Sequence, residues 1–187
     1  MSRASGIGRI AFFCLKFLVL SAALLFLWWW KVQPHYVTLI GHITRAILEH
    51  IAREPIDGML VQVNTAGVLS SETSLVWIIG ERERSSSVAF LVANIPPYIA
   101  LVLATPGLAL KRIAKILLYG LGILATGHIL FLTLAFVFSR QIQESPEVPN
   151  AIGLFLMTLP FMLWIVFAYW DKLTLLFEEP EETTGKN

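Results

Sequence analysis

The stretch from Val88 to Pro106 reads VAFLVANIPPYIALVLATP. It is apolar almost throughout, interrupted by one amide, Asn94, and by the pair Pro96-Pro97. Ser87 to Thr105 is 19 residues without a charge, and about 20 apolar residues suffice to cross a hydrocarbon core of about 30 Å. Residues 87–105 therefore read as a membrane span. Val88 to Val92 also fits a strand, in which case the helix starts near Ile95 and is short. Pro96 and Pro97 then fall in the first helical turn, where a missing N–H has no partner to lose. Pro106-Gly107 ends the helix. Asn94 has two readings: a side-chain cap for the helix it precedes, or a polar anchor for a partner at the outer mouth of a helical bundle.

The rest of the chain agrees with a membrane setting. Of 187 residues, 56% are hydrophobic and only 14% charged, against about 25% charged in soluble domains; mean hydropathy is +0.71. A net charge of +1 gives no field that would gather nucleic acid. A single cysteine, Cys14, excludes an internal disulfide and a multi-cysteine metal site.

Upstream, residues 1–9 are short, basic and rich in Gly and Ser. Residues 10–30 form an apolar run long enough to span, ending in Trp28-Trp29-Trp30, the residues of an interfacial aromatic belt. A cleaved signal peptide is the rival for this start. Lys16 within the run and the lack of a small-residue cleavage site after Trp30 argue against it; Lys16 is expected to snorkel to the headgroups. Residues 31–86 are expected to face outward. Pro34 should kink or restart the helix. His35, Thr38, His42, Arg45 and Glu49 then make a polar stripe on a helix otherwise lined by Val37, Ile40, Ile43 and Leu48, the pattern of an interfacial amphipathic helix. His35 and His42 stand about 10 Å apart along such a helix, too far to share a metal ion.

Met59 to Asn64 alternates, and Thr73 to Ile79 is β-branched and aromatic with Trp77 at its centre, so both read as strands. Asp57-Gly58 and Thr65-Ala66-Gly67 are turn candidates, and Glu81-Arg82-Glu83-Arg84 with three serines reads as a polar loop. Val88 to Val92 is the candidate third strand of a small antiparallel meander.

Downstream, residues 106–115 form a basic loop carrying Lys111, Arg112 and Lys115. Residues 116–138 make the third span, with Gly120, Gly122 and Gly127 permitting close helix approach. Residues 139–150 form a polar loop. Residues 151–170 make the fourth span, kinked at Pro160. Residues 171–187 end in Glu178-Glu179-Pro180-Glu181-Glu182, the composition of a disordered acidic tail. Lys and Arg cluster before the first span, between the second and third, and after the fourth. All fall on one side, which the positive-inside rule makes cytoplasmic. Both termini are thus expected in the cytoplasm of a multi-pass inner-membrane protein.

The sequence holds no phosphate loop, zincin helix or Gly-x-Ser-x-Gly elbow, and no acidic residue lies inside an expected span. No cofactor or metal is expected. His128, inside the third span, is a functional candidate because ionisable groups there are costly; the plainer expectation is a bundle residue bonded to a hydroxyl or carbonyl. Cys14 sits in the first span, where a thiol surrounded by lipid is unreactive.

The order of parts is a span ending in aromatics, an amphipathic helix, an outward β element, an Asn-x-Pro span ending Leu103-Ala104-Thr105-Pro106, and two more spans. It resembles the small membrane proteins associated with exosortase H, shortened relatives of the exosortase/archaeosortase family. The resemblance covers about residues 10–172. It implies a place beside a membrane transpeptidase-like enzyme that uses Cys, Arg and His at the outward ends of late spans. Here the segment that should carry the Cys reads Val92-Ala93-Asn94-Ile95-Pro96-Pro97, the third span has no Arg, and Cys14 lies toward the other membrane face. A thiol needs its base within hydrogen-bond reach, so the resemblance implies a non-catalytic companion. The expected architecture is an all-α membrane bundle of four transmembrane helices with a small β element. The expected partners are the lipid bilayer and an exosortase-like enzyme or its substrate helix, with Asn94, Pro96, Pro97 and His128 as partner-contact or structural polar residues. The alternatives are a transporter or channel subunit with His128 lining a path, and an assembly factor of another membrane complex.

Overall fold

The structure, a computed structural model, describes residues 4–53, 56–65, 71–138 and 147–177. It is mostly helical with one small antiparallel sheet. Helix α1 (Ala4–Leu27) passes through a π-helical turn (Trp28–Val32) into α2 (Gln33–Ile47), which closes in a second π turn (Leu48–Ala52). Then come β1 (Gly58–Thr65), β2 (Ser71–Ile79) and β3 (Arg82–Ser87), the single turn α3 (Ala89–Val92), α4 (Ile95–Ala104), α5 (Leu110–Val137) and α6 (Glu147–Phe177).

Pro34 does not break the first helix. The turn before it widens instead, and the Gln33 N–H reaches back five residues to the Trp28 carbonyl. A π turn of this kind absorbs a residue that cannot continue the regular ladder. The result is one helical run, Ile10–Ile51, of 42 residues. At about 1.5 Å per residue it is about 63 Å long, twice the hydrocarbon thickness. Its first half is apolar and its second half carries the polar stripe. Val37, Ile40, Gly41 and Thr44 are buried along it, while His35 and His42 are exposed.

Three helical runs are long and apolar enough to cross a membrane: Ile10–Ile51, Leu110–Val137 and Ala151–Tyr169. This is the architecture of a multi-pass membrane protein. The expected second span is the exception. The helix there is broken at Ala93-Asn94 into α3 and α4, and α4 alone is 10 residues or about 15 Å, half the core thickness. It is apolar because it is buried: Ile95, Pro96, Tyr98, Ala100, Leu101, Val102 and Ala104 are covered by neighbouring helices. Apolar content alone does not separate a span from a core helix. Packed between α1, α5 and α6, α4 has its end carbonyls satisfied by side chains, as a helix ending inside a bundle requires. Thr105 Oγ1 donates to the Leu101 carbonyl. Lys16 Nζ donates to the Leu103 carbonyl at 2.8 Å. Lys16 therefore caps the negative end of α4, a partner that snorkelling did not anticipate.

The sheet has the order β1-β2-β3, antiparallel throughout. The expected loop Arg82–Ser87 is its third strand, and Val88–Val92 is not: the Val88 N–H bonds the Thr73 carbonyl and Ala89 then enters a helical turn. The hairpin bend needs only Gly80-Glu81. Gly80 has φ +59, a conformation glycine adopts without strain, and its N–H donates to Asp57 Oδ2. One sheet face, with Met59 and Leu75, rests on α2 at Gly41, where an added Cβ would meet Met59 Sδ at 2.7 Å. Trp77 on the same face meets Phe136 of α5 edge-on, ring centroids 5.9 Å apart.

The two long later helices exceed their expected bounds. α5 begins six residues before Ile116, and α6 takes in residues 147–150 of the expected loop. Residues 139–146 and the acidic stretch 178–187 lie outside the described residues, as does the turn candidate at Ala66-Gly67.

Candidate functional site

Asn94 is at the N-cap position of α4 yet makes no side-chain cap bond. It is buried at 3% exposure, and its Nδ2 donates to the Leu156 carbonyl of α6 at 2.9 Å. The capping expectation is therefore wrong, and the reason lies in α6. In an α-helix the Leu156 carbonyl accepts from the N–H of residue 160. That residue is Pro160, inside the helix, which has no N–H. Asn94 supplies the missing donor from another helix, one of the ways by which prolines are tolerated in lipid. Pro96 and Pro97 do fall in the first turn of α4 as expected. Pro96 is buried, and the first bond of the helix runs from the Tyr98 N–H to the Asn94 carbonyl.

His128 is fully buried. Its Nδ1 is hydrogen-bonded to the Tyr36 hydroxyl at 2.8 Å, which meets the expectation of a hydroxyl partner. The Tyr36 ring packs in turn on Trp28, centroids 5.4 Å apart. This chain of contacts sets His128 against the joint between α1 and α2. Among the described residues, Trp28 Nε1, Gln33 Nε2 and His128 Nε2 at the joint between α1 and α2, and Asn94 Oδ1 beside α6, are buried without a hydrogen-bond partner. The joint between α1 and α2 is thus rich in polar atoms within an apolar bundle.

The chemistry this arrangement offers is hydrogen bonding. No group of His, Cys, Asp and Glu among the described residues has metal-binding geometry. Cys14 is exposed on α1, remote in chain and level from His128. Arg45 of α2 pairs with Glu49 of the following π turn at 2.6 Å; Arg45 also donates to the Ile56 carbonyl and ties α2 to the entry of β1.

A test of the Tyr36–His128 bond follows. His128→Leu strands a buried hydroxyl and is expected to cost about 1–3 kcal/mol. His128→Gln keeps a donor and an acceptor and should recover most of it. Unfolding of the purified protein in mixed micelles reads both. Equal loss in the two variants would mean that ring packing against Tyr36, and not the hydrogen bond, holds the joint.

A second feature was not foreseen. Between α5 and α6 an apolar groove of about 690 Å³ is lined by Leu118, Tyr119, Gly122, Thr126, Phe155 and Leu159, among others. Gly122 has nothing within 4 Å of an added Cβ, and the Thr126 hydroxyl is turned back onto the Gly122 carbonyl. Of the three glycines expected to admit close helix approach, Gly120 does so against Tyr98 and Gly127 against Leu156. Gly122 opens outward.

The fold and the site together define a multi-pass helical membrane protein with a three-stranded cap and a polar joint in its bundle. Comparison with protein-family models, curated proteins and solved structures finds no match.

Proposed function

We propose that this chain is a non-enzymatic accessory subunit of the bacterial inner membrane, in which α3 and α4 together complete a fourth crossing beside the three long helices and both termini are cytoplasmic. In this reading it docks a transmembrane helix of an exosortase-type sorting system. The observation that supports it is the groove between α5 and α6. Leu118 to Leu134 of its lining covers about 24 Å of helix, most of a hydrocarbon core. Gly122 and Thr126 stand one turn apart on its floor, the small-residue spacing that lets two helix backbones approach in lipid. The Thr126 hydroxyl of the lining is already bonded to the Gly122 carbonyl, so an apolar helix laid over Gly122 and Thr126 strands no donor there. The transporter reading fares less well, because His128 is sealed by Tyr36 and is not part of the groove lining.

Gly122→Leu tests the proposal. The added side chain enters open space, so stability should change by less than about 0.5 kcal/mol, as at an unconstrained surface site. Co-purification with a co-expressed exosortase-type enzyme and its substrate should fall sharply, and separate co-expression of each identifies which supplies the helix. Unchanged co-purification of both, with the groove filled, would remove the docking role.

A further inference from the structure

The two edges of the sheet are built differently. β3 ends the sheet on one side with Arg82, Glu83 and Arg84, all exposed. β1 ends it on the other with Gly-Met-Leu-Val-Gln-Val-Asn-Thr, eight residues without a charge or a proline. All eight pair in register with β2, so no bulge turns the strand away. Among the described residues no backbone hydrogen bond from another segment reaches the outer edge of β1. Leu60 and Val63 are 52% and 45% exposed, and Gln62 is exposed between them. Edge strands left open in this way pair with other chains, and proteins guard them with charge, proline or bulges. Among the described residues, one edge has the guard of charge and the other has neither charge, proline nor bulge.

We propose that β1 is a homodimer interface, pairing antiparallel with β1 of a second copy. The asymmetry of the edges selects this occupant. A foreign strand laid on β1 would become the new edge and would need its own protection. A second copy brings β1, β2 and β3 in mirror order, and the six-stranded sheet then ends on both sides in the charged β3. A two-fold contact uses one surface twice and closes, so the assembly stops at two. The inner face of the sheet already rests on α2 and α5, so the new pairing adds to the edge without displacing the bundle. This interface is separate from the groove between α5 and α6, and either can stand without the other.

Cross-linking in the membrane tests it. In a Cys14→Ala background, Gln62→Cys near the centre of β1 should give a dimer with a short bismaleimide, because residues opposite each other in an antiparallel pair lie about 5 Å apart. Glu83→Cys on β3 should stay monomeric. A charge pair then checks the contact. Gln62→Lys and Gln62→Glu each set like charges across the two-fold, and each should weaken dimerisation about tenfold or more. Mixing the two variants should restore it as a heterodimer. Position 62 is exposed, and an unchanged thermal melt of each variant shows that the monomer fold is intact. Monomeric Gln62→Cys, equal cross-linking from Glu83→Cys, or no recovery on mixing would overturn the proposal.

Discussion

Gly120→Ala is expected to destabilise the bundle by about 3 kcal/mol or more, far beyond the usual effect of a glycine-to-alanine change in a helix. The added methyl would land on the Tyr98 hydroxyl and the adjacent ring carbon. Tyr98 cannot step aside. It is fully buried, and its hydroxyl donates to the Ile116 carbonyl at 2.8 Å, one turn below Gly120 on α5. Moving the ring breaks that bond, worth about 1 kcal/mol, and opens a void in α4's packing. If the clash is the cause, shortening the partner should relieve it. Tyr98→Leu alone is costly, but in that background Gly120→Ala should lose most of its effect. The coupling in a double-mutant cycle should reach about 2 kcal/mol, read by unfolding in mixed micelles. Additive costs would mean that Gly120 matters for its backbone and not for the room it leaves Tyr98.

The sequence made some of this legible and hid the rest for identifiable reasons. β1 alternates over Met59–Asn64, and β2 gathers β-branched and aromatic residues around a buried Trp77, so their composition carries the signal. β3 has no such pattern. Its Arg82-Glu83-Arg84 and three serines read as a loop because an edge strand is guarded by charge, and guarding erases the apolar alternation. The two-residue bend at Gly80-Glu81 was the available clue, since so short a link after a strand implies a returning one. The stretch 87–105 read as one continuous span because buried core and lipid-facing surface demand the same apolar side chains; its two prolines mark where α4 begins, but nothing local announces the separate turn α3 before it. His128 was legible as a bonded bundle residue, whereas its partner Tyr36 lies on α2, far along the chain. The groove between α5 and α6 depends on how two helices diverge, and no single helix encodes that.

Asn94 shows the same limit most sharply, and it yields the last prediction. Local chemistry offers a cap, because a short acceptor stands just before a helix. The contact found is a donation across 62 residues of chain to the Leu156 carbonyl. What the carbonyl lacks is set by Pro160, four residues on, and nothing near Asn94 announces it. The two roles predict different substitutions. A cap needs an acceptor, so Asp would serve; the bond to Leu156 needs a donor, so Asp should fail. Asn94→Leu is expected to cost about 1–3 kcal/mol by leaving a buried carbonyl unpaired. Asn94→Asp at neutral pH should cost more, about 3–5 kcal/mol, since it also sets an unpaired carboxylate against that carbonyl. The decisive measurement pairs Asn94 with its cause. Pro160→Ala restores an N–H at the position from which a regular helix serves Leu156, so in that background Asn94→Leu should lose most of its penalty. Should Asn94→Leu cost the same with proline or alanine at position 160, the amide holds α4 for another reason, and the substitution of one helix's donor for another's proline is not what fixes this corner of the bundle.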